Sequence, residues 1–315
     1  MVLTDKAKQY LLVALKLIIL VGMGLFLYQK LFVDNPGKMR ELWMITTTEL
    51  PLYLLPTWLV LSFLNWALEA RKWQLLTATT KTLSYTLAWR QTYAALAASL
   101  LTPQRVGEYG AKALFFPPER RKRILWLTFL GNFAQLLVTL VLGVPALVWL
   151  VFSFNLPISN LNLVLLLICL LLLLTFAYLI RKRQLLFQGL TLERLWKKTA
   201  ELPNTILWWV GIHSFLRYVI FSSLFVWMLI GFGAEQQLTT LFLLSFAYYI
   251  IASVTPMLFV LDVVVKSGIA IALFSLAGVE EATVVFAVLL GWILNFGIPA
   301  IIGSYIIANH KKAVA

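Results

Sequence analysis

The sequence predicts an all-α, polytopic transmembrane helix bundle, folded as an inverted repeat with two re-entrant helical hairpins and about six full spans. Three observations predict it: apolar runs long enough to cross a bilayer, basic residues gathered in alternate loops, and two similar Thr-Pro segments about 154 residues apart. The chain is 61% hydrophobic and 12% charged, whereas a soluble domain is about half apolar and about a quarter charged. The excess lies in continuous runs such as 161–180, LNLVLLLICLLLLLTFAYLI. A helix needs about 20 apolar residues to span a bilayer, and lipid leaves a backbone only helices or closed barrels. Unbroken runs, without the alternation of barrel strands, select helices.

Taken in order, full spans are expected over 9–29, 51–69, 124–151, 160–180, 205–230 and 284–308. The first follows Lys6 and Lys8, contains Lys16 and lacks an Ala-x-Ala site, so it reads as a retained helix rather than a signal peptide. Two shorter stretches, 86–101 and 239–254, each run into Thr-Pro and then a charge-bearing apolar segment, 103–117 and 256–276. These are expected to be pairs of half-helices. Residues 181–204 place Leu, Phe and Trp between basic residues and read as an amphipathic segment on the cytoplasmic surface. All of this belongs to one integral membrane domain, 1–315.

The net charge of +13 does not point to nucleic acid, because the basic residues sit at helix ends. Lys and Arg concentrate at both termini and in 70–90, 120–123 and 181–203, while the opposite loops hold only Lys30, Lys38 and Arg40. Cytoplasmic loops carry the positive excess, and anionic lipid attracts it, so both termini are expected in the cytoplasm. The region after Arg90 then enters from the cytoplasm and must return before Arg120, and the region after Gln237 enters and leaves on the outer side. The single cysteine, Cys169, lies in an apolar run. It permits no disulfide within the chain and no cysteine-based metal site. No nucleotide loop, zinc motif or Gly-x-Ser-x-Gly is present, so neither a cofactor nor a metal is expected, and no soluble catalytic domain.

The hairpins resemble each other. Ala98-Ser99, Thr102-Pro103, Glu108 and Lys112 recur as Ala252-Ser253, Thr255-Pro256, Asp262 and Lys266, and Gly143, Pro145 and Ala146 recur as Gly297, Pro299 and Ala300. The repeat halves are about 86–151 and 239–308. Three crossings separate the hairpins, so the repeat is inverted, a plan that transporters use with their site near the midplane.

Thr-Pro is a helix-start signal, with Thr capping free N–H groups and Pro fitting the first turn. Two helix starts meeting near mid-membrane suit an anion such as phosphate, and the same dipeptides also make simple tight turns. Glu108 and Asp262 are the only acids expected inside the membrane, where a carboxylate is costly and faces a cavity or a partner. Lys112 and Lys266 follow them by four residues, on the same helix face, and Arg105 precedes Glu108 by three. These residues are read as a charged substrate cavity or a proton-coupling site; ion pairs that only lock the hairpins are the plainer alternative. Asn132, Gln135 and Asn295 are candidate cavity-lining groups, with interhelical hydrogen bonding as the competing role. Arg217, four residues after His213, adds a polar face, and His213 alone marks no metal site.

The stretch Asn65-Trp66, Glu69-Ala70-Arg71-Lys72-Trp73-Gln74-Leu75-Leu76, followed by Leu101-Thr102-Pro103-Gln104-Arg105-Val106-Gly107-Glu108, resembles the transmembrane family of lysylphosphatidylglycerol synthases. That family includes the flippase half of the multiple peptide resistance factor. The resemblance covers about 10–308, and its most specific part is Pro103-x-x-x-Gly107-Glu108. The family's second hairpin usually carries a Gly-rich run, and here Met257–Leu261 has no glycine. The resemblance implies a bacterial or archaeal plasma-membrane protein that moves polar lipids between leaflets. It gives the motif's role to Arg105, Gly107 and Glu108, and to Asp262. The family's aminoacyl transferase occupies a separate soluble domain that this sequence does not contain.

The expected function is therefore a lipid flippase whose partner is an anionic or phosphate-bearing membrane lipid. Arg105, Lys112 and Lys266 would bind a headgroup phosphate, and Glu108 and Asp262 a cationic headgroup or a coupling proton. The alternatives are a transporter of a small soluble solute or ion, and an intramembrane lipid-modifying transferase, for which Glu108 has no His partner nearby in sequence.

Overall fold

A computed structural model describes residues 53–100, 105–154, 197–255 and 261–310, with Gly37, Thr102 and Leu156 besides. The expected spans 9–29 and 160–180, most of 181–204, Pro103, Pro256 and the side chain of Asp262 lie outside the described residues.

Every regular element among the described residues is helical. In order these are α1 (Leu54–Thr77), α2 (Tyr85–Leu100), α3 (Val106–Leu114), α4 (Pro118–Ser153), α5 (Asn204–Gly231), α6 (Leu238–Val254), α7 (Leu261–Phe274), α8 (Glu281–Trp292) and α9 (Ile298–His310). A π-helical turn, Ile293–Gly297, joins α8 to α9. Among the described residues three helical stretches, α4, α5 and Glu281–Asn309 through α8 and α9, are long and apolar enough to cross a membrane. Large apolar side chains stand on the outside of the bundle, among them Val141, Trp208, Ile301 and Tyr305, each more than two-thirds exposed. In water such a surface would aggregate; lipid is its natural solvent. The chain is an α-helical membrane protein.

The order long helix, two short helices, long helix occurs twice, as α1–α4 and as α5–α9. α1 and α5 run antiparallel along each other. Trp58 and Leu54 near the start of α1 press on Gly231 at the end of α5, where an added Cβ would lie 2.6 Å from the Trp58 ring. Further along, Asn65 and Glu69 of α1 meet Arg217 of α5. The short helices pack across the halves: α2 lies on α9, where Gly303 sits directly against the Tyr93 carbonyl, and α6 lies on α4, where Gly143 faces Ile250 and the Phe246 carbonyl. Without a hydrophobic drive between helices in lipid, such small-residue contacts supply the close van der Waals packing.

The π turn has an identifiable cause and a use. Ile298 N–H reaches back five residues to Ile293 O, which leaves Leu294 O unused within the helix. Pro299 has no N–H to give to Asn295 O. Both freed carbonyls are taken by α1: Ser62 Oγ donates to Leu294 O at 2.8 Å, and Trp66 Nε1 to Asn295 O at 2.9 Å. Asn65 Nδ2 adds a bond to Asn295 Oδ1 at 2.9 Å. One face of α1, at spacings i, i+3 and i+4, is thereby docked on the broken helix.

Candidate functional site

The site begins at the turn between α2 and α3. Thr102 Oγ1 accepts the Gly107 N–H at 2.6 Å, so Thr102 satisfies one free donor in the first turn of α3. The helix itself starts at Val106 rather than at Pro103, because Arg105 stands in the left-handed region at φ 58°, ψ 25°. That conformation costs a non-glycine residue about 1–2 kcal/mol, and strain of this kind concentrates at functional sites. In the second hairpin Thr255 Oγ1 donates back to Ile251 O at 2.8 Å, as Thr102 Oγ1 does to Ala98 O at 3.3 Å; the residues that follow, 256–260, lie outside the described residues.

A buried ion network connects α1, α3 and α5. Glu69 Oε2 accepts from Lys72 Nζ and from Arg217 Nη1, both at 2.7 Å, and Oε1 lies 3.9 Å from Lys112 Nζ. Lys112 in turn pairs with Glu108 Oε1 at 2.9 Å. Asn132 Nδ2 approaches Glu108 Oε2 at 3.4 Å. Aromatic faces complete the cage: the Lys112 ammonium lies 4.5 Å from the Trp73 ring centre, and the Arg217 guanidinium 5.3 Å from that of Trp66. Arg217 Nε also donates to Asn65 Oδ1 at 3.0 Å.

From the sequence, Glu108 and Asp262 are set apart as the acids inside the membrane and Glu69 is left at an interface; the structure buries Glu69 as well, 5% exposed, at the centre of the network. A hydropathy window ends the expected span 51–69 at Glu69 and so assigns that residue to an interface. In fact α1 continues to Thr77, because its charged residues find partners inside the bundle. Glu69, Lys72 and Asn65 appear in the family-like stretch, but without a partner in sequence they carried no assigned role. A carboxylate three residues before a lysine in an apolar helix was the available signal.

Two cavities flank this network. The larger, of about 230 Å³, is lined by the cations Arg105, Arg217 and Lys266, by the carboxamides of Asn65, Gln135 and Asn295, and by aromatic side chains including Tyr248, Tyr249, Trp292 and Phe296. No carboxylate is among its described lining residues. Arg105 and Lys266 lie 5.7 and 4.8 Å from the Phe296 ring centre, so residues from the two hairpins converge on one ring. The smaller cavity, of about 30 Å³, is lined by Glu69, Glu108, Asn132, Thr92, Trp66 and Leu96. Arg105 and Arg217 line both. Arg105 and Arg217 are thus shared between an acid-bearing cavity and one whose described charged lining residues are all cations.

Of the residues expected at the site, Arg105, Arg217, Lys266, Gln135 and Asn295 meet at the larger cavity. Glu108 and Asn132 meet at the smaller one. Lys112 is 2% exposed and lies within the ion network, away from the larger cavity. Gln135 also ties α4 to α5 by donating to Ser214 O at 3.2 Å. Gly107 lines neither of these cavities; it allows α3 to approach α2, since a Cβ there would collide with the Ala98 carbonyl. His213 bonds the Trp209 carbonyl through Nδ1, and among the described residues no cluster of His, Cys, Asp and Glu could hold a metal. Compared with protein-family models, with curated proteins and with solved structures, the chain gives no match.

Proposed function

We propose that this protein is a translocase that moves an anionic, phosphate-bearing lipid across the plasma membrane of a bacterium or archaeon, with the headgroup held in the larger cavity. The observation that carries the reading is the composition of that cavity: Arg105, Arg217 and Lys266 with three carboxamides, and no carboxylate among the described lining residues. Arginine and lysine bind phosphate oxygens by short charge-assisted hydrogen bonds. Aromatic walls and a lipid-facing exterior suit a ligand that is polar at one end only. The resemblance to the lysylphosphatidylglycerol synthase transmembrane family supports the same reading.

An inverted repeat with six spans and both termini in the cytoplasm is part of the proposal. Three features support it: the twice-repeated order of helices, the antiparallel course of α1 and α5, and the reciprocal packing of α2 on α9 and α6 on α4. Transporters with such repeats bind substrate where the halves meet, and Arg105 and Lys266 come from different halves. Of the three cations expected to contact the headgroup, Arg105 and Lys266 keep that role, Arg217 joins them, and Lys112 becomes their buried support.

The test is calorimetric binding of dihexanoyl phosphatidate to the purified protein in detergent. A charged hydrogen bond contributes about 1.5–3 kcal/mol, so Arg105→Ala and Lys266→Ala are each expected to weaken binding about tenfold or more. Inorganic phosphate is expected to bind less tightly than the lipid; equal affinity for both would favour a transporter of soluble anions. Binding that neither substitution changes would contradict the assignment of the cavity.

A further inference from the structure

We infer that Glu69 is an internal counter-ion that the substrate's anionic group displaces from Arg217, so that Arg217 alternates between the Glu69 carboxylate and the bound headgroup. This rests on the reading of the larger cavity as an anion site. Arg217 is the member of the ion network that reaches that cavity. Its side chain is 16% exposed, against 1% for Lys72 and 3% for Lys112. Its guanidinium is bonded to Glu69 and Asn65 and lies 5.3 Å from the Trp66 ring centre. A cation–π contact is weakly directional, so the guanidinium can shift over the ring and keep part of that attraction.

The exchange is feasible because the two partners are not equally dependent on each other. If Arg217 turns to an anion in the cavity, Glu69 keeps Lys72 at 2.7 Å and Lys112 at 3.9 Å. No buried charge is abandoned, and abandonment is the step that makes breaking a buried pair costly. The consequence reaches beyond affinity. Glu69 is on α1 and Arg217 on α5, so their ion pair ties together the two long helices that face each other between the halves. A headgroup that takes Arg217 loosens that tie at the moment the site fills. Occupancy thereby changes the contact that a rocking motion of one half against the other must break. Glu69 is in this sense a positioning residue: it sets the resting place of Arg217 and competes for it when the lipid must leave.

The test separates affinity from turnover. In Glu69→Gln/Lys72→Met one negative and one positive charge are removed together, so the net charge of the region is unchanged while Arg217 loses its carboxylate. Dihexanoyl phosphatidate is expected to bind this variant about tenfold more tightly than wild type, as for removal of a competing charge pair. Transbilayer movement of fluorescent phosphatidate at saturating lipid is expected to slow several-fold, because release loses its competitor. Glu69→Asp, which keeps the charge on a shorter arm, is expected to shift both quantities the same way by less, and it serves if the double variant does not fold. Lys72→Met alone makes Glu69 more dependent on Arg217 and is expected to weaken binding. If wild type binds the probe and both Glu69 variants bind it equally or more weakly, the exchange is overturned while the anion cavity stands. If wild type does not bind the probe at all, the reading of the cavity fails first, and the exchange falls with it.

Discussion

Glu69→Leu is expected to unfold the membrane domain, or to lower its thermal midpoint more than any other single substitution in α1. The leucine removes the carboxylate that Lys72 and Arg217 share at 2.7 Å and that Lys112 approaches at 3.9 Å. Lys72 is 1% exposed, and its other polar contact is a long bond to Gly131 O at 3.3 Å. Its ammonium would remain buried beside two further cations. Removing one partner of a buried pair costs about 3–5 kcal/mol, a large share of a total stability of about 5–15 kcal/mol. The charge-balanced Glu69→Gln/Lys72→Met is expected to recover most of the loss, since replacing both members of a buried pair is close to neutral. Unfolding followed by tryptophan fluorescence in detergent reads the difference. Equal midpoints for the single and double variants would show that the network does not support the fold.

Gly107→Val is the second large effect. A Cβ at Gly107 would meet the carbonyl of Ala98, with that residue's carbonyl carbon at 2.7 Å and Thr102 Oγ1 at 2.8 Å. Two of these three atoms are backbone of α2 and cannot turn aside as a flexible side chain does. Overpacking costs about 1–3 kcal/mol and occasionally more, and the loss of a capping bond such as Gly107 N–H to Thr102 Oγ1 adds about 1 kcal/mol. The variant is therefore expected to lose both its cooperative unfolding transition and its binding of phosphatidate, because Arg105 is held by the same turn. Gly110→Ala is the control: a Cβ added there would find nothing within 4 Å, and no change is expected. A Gly107→Val protein that binds like wild type would contradict the tight hairpin.

What could be read from the sequence depended on how local the cause was. The ends of α2, α5 and α6 agree closely with the expected 86–101, 205–230 and 239–254, because hydropathy and Thr-Pro act within a few residues. The Glu108–Lys112 pair follows from helical spacing alone, and the structure has it at 2.9 Å. That Thr102 takes a free N–H near the start of the next helix was also legible, but not that the helix begins at Val106, after Arg105. The failure at Glu69 is of another kind. Its burial is decided by Arg217, 148 residues away, and nothing near position 69 announces that partner. The same holds for the π turn: Pro299 signals a broken hydrogen bond, but only the fold shows that Ser62 and Trp66 of α1 take up the freed carbonyls. Lys112 and Lys266 look alike in sequence, yet Lys112 enters the buried network and Lys266 lines the larger cavity.

The most direct test of lipid translocation is transbilayer movement in proteoliposomes. Fluorescent phosphatidate and a polyprenyl-phosphate analogue are placed in both leaflets, and quenching from outside reports exchange. Wild type is expected to speed exchange well above protein-free vesicles, and Arg105→Ala/Lys266→Ala, in folded protein, to return it to the background rate. Folded wild-type protein that moves neither lipid, or a double variant that moves them as fast as wild type, would contradict the account.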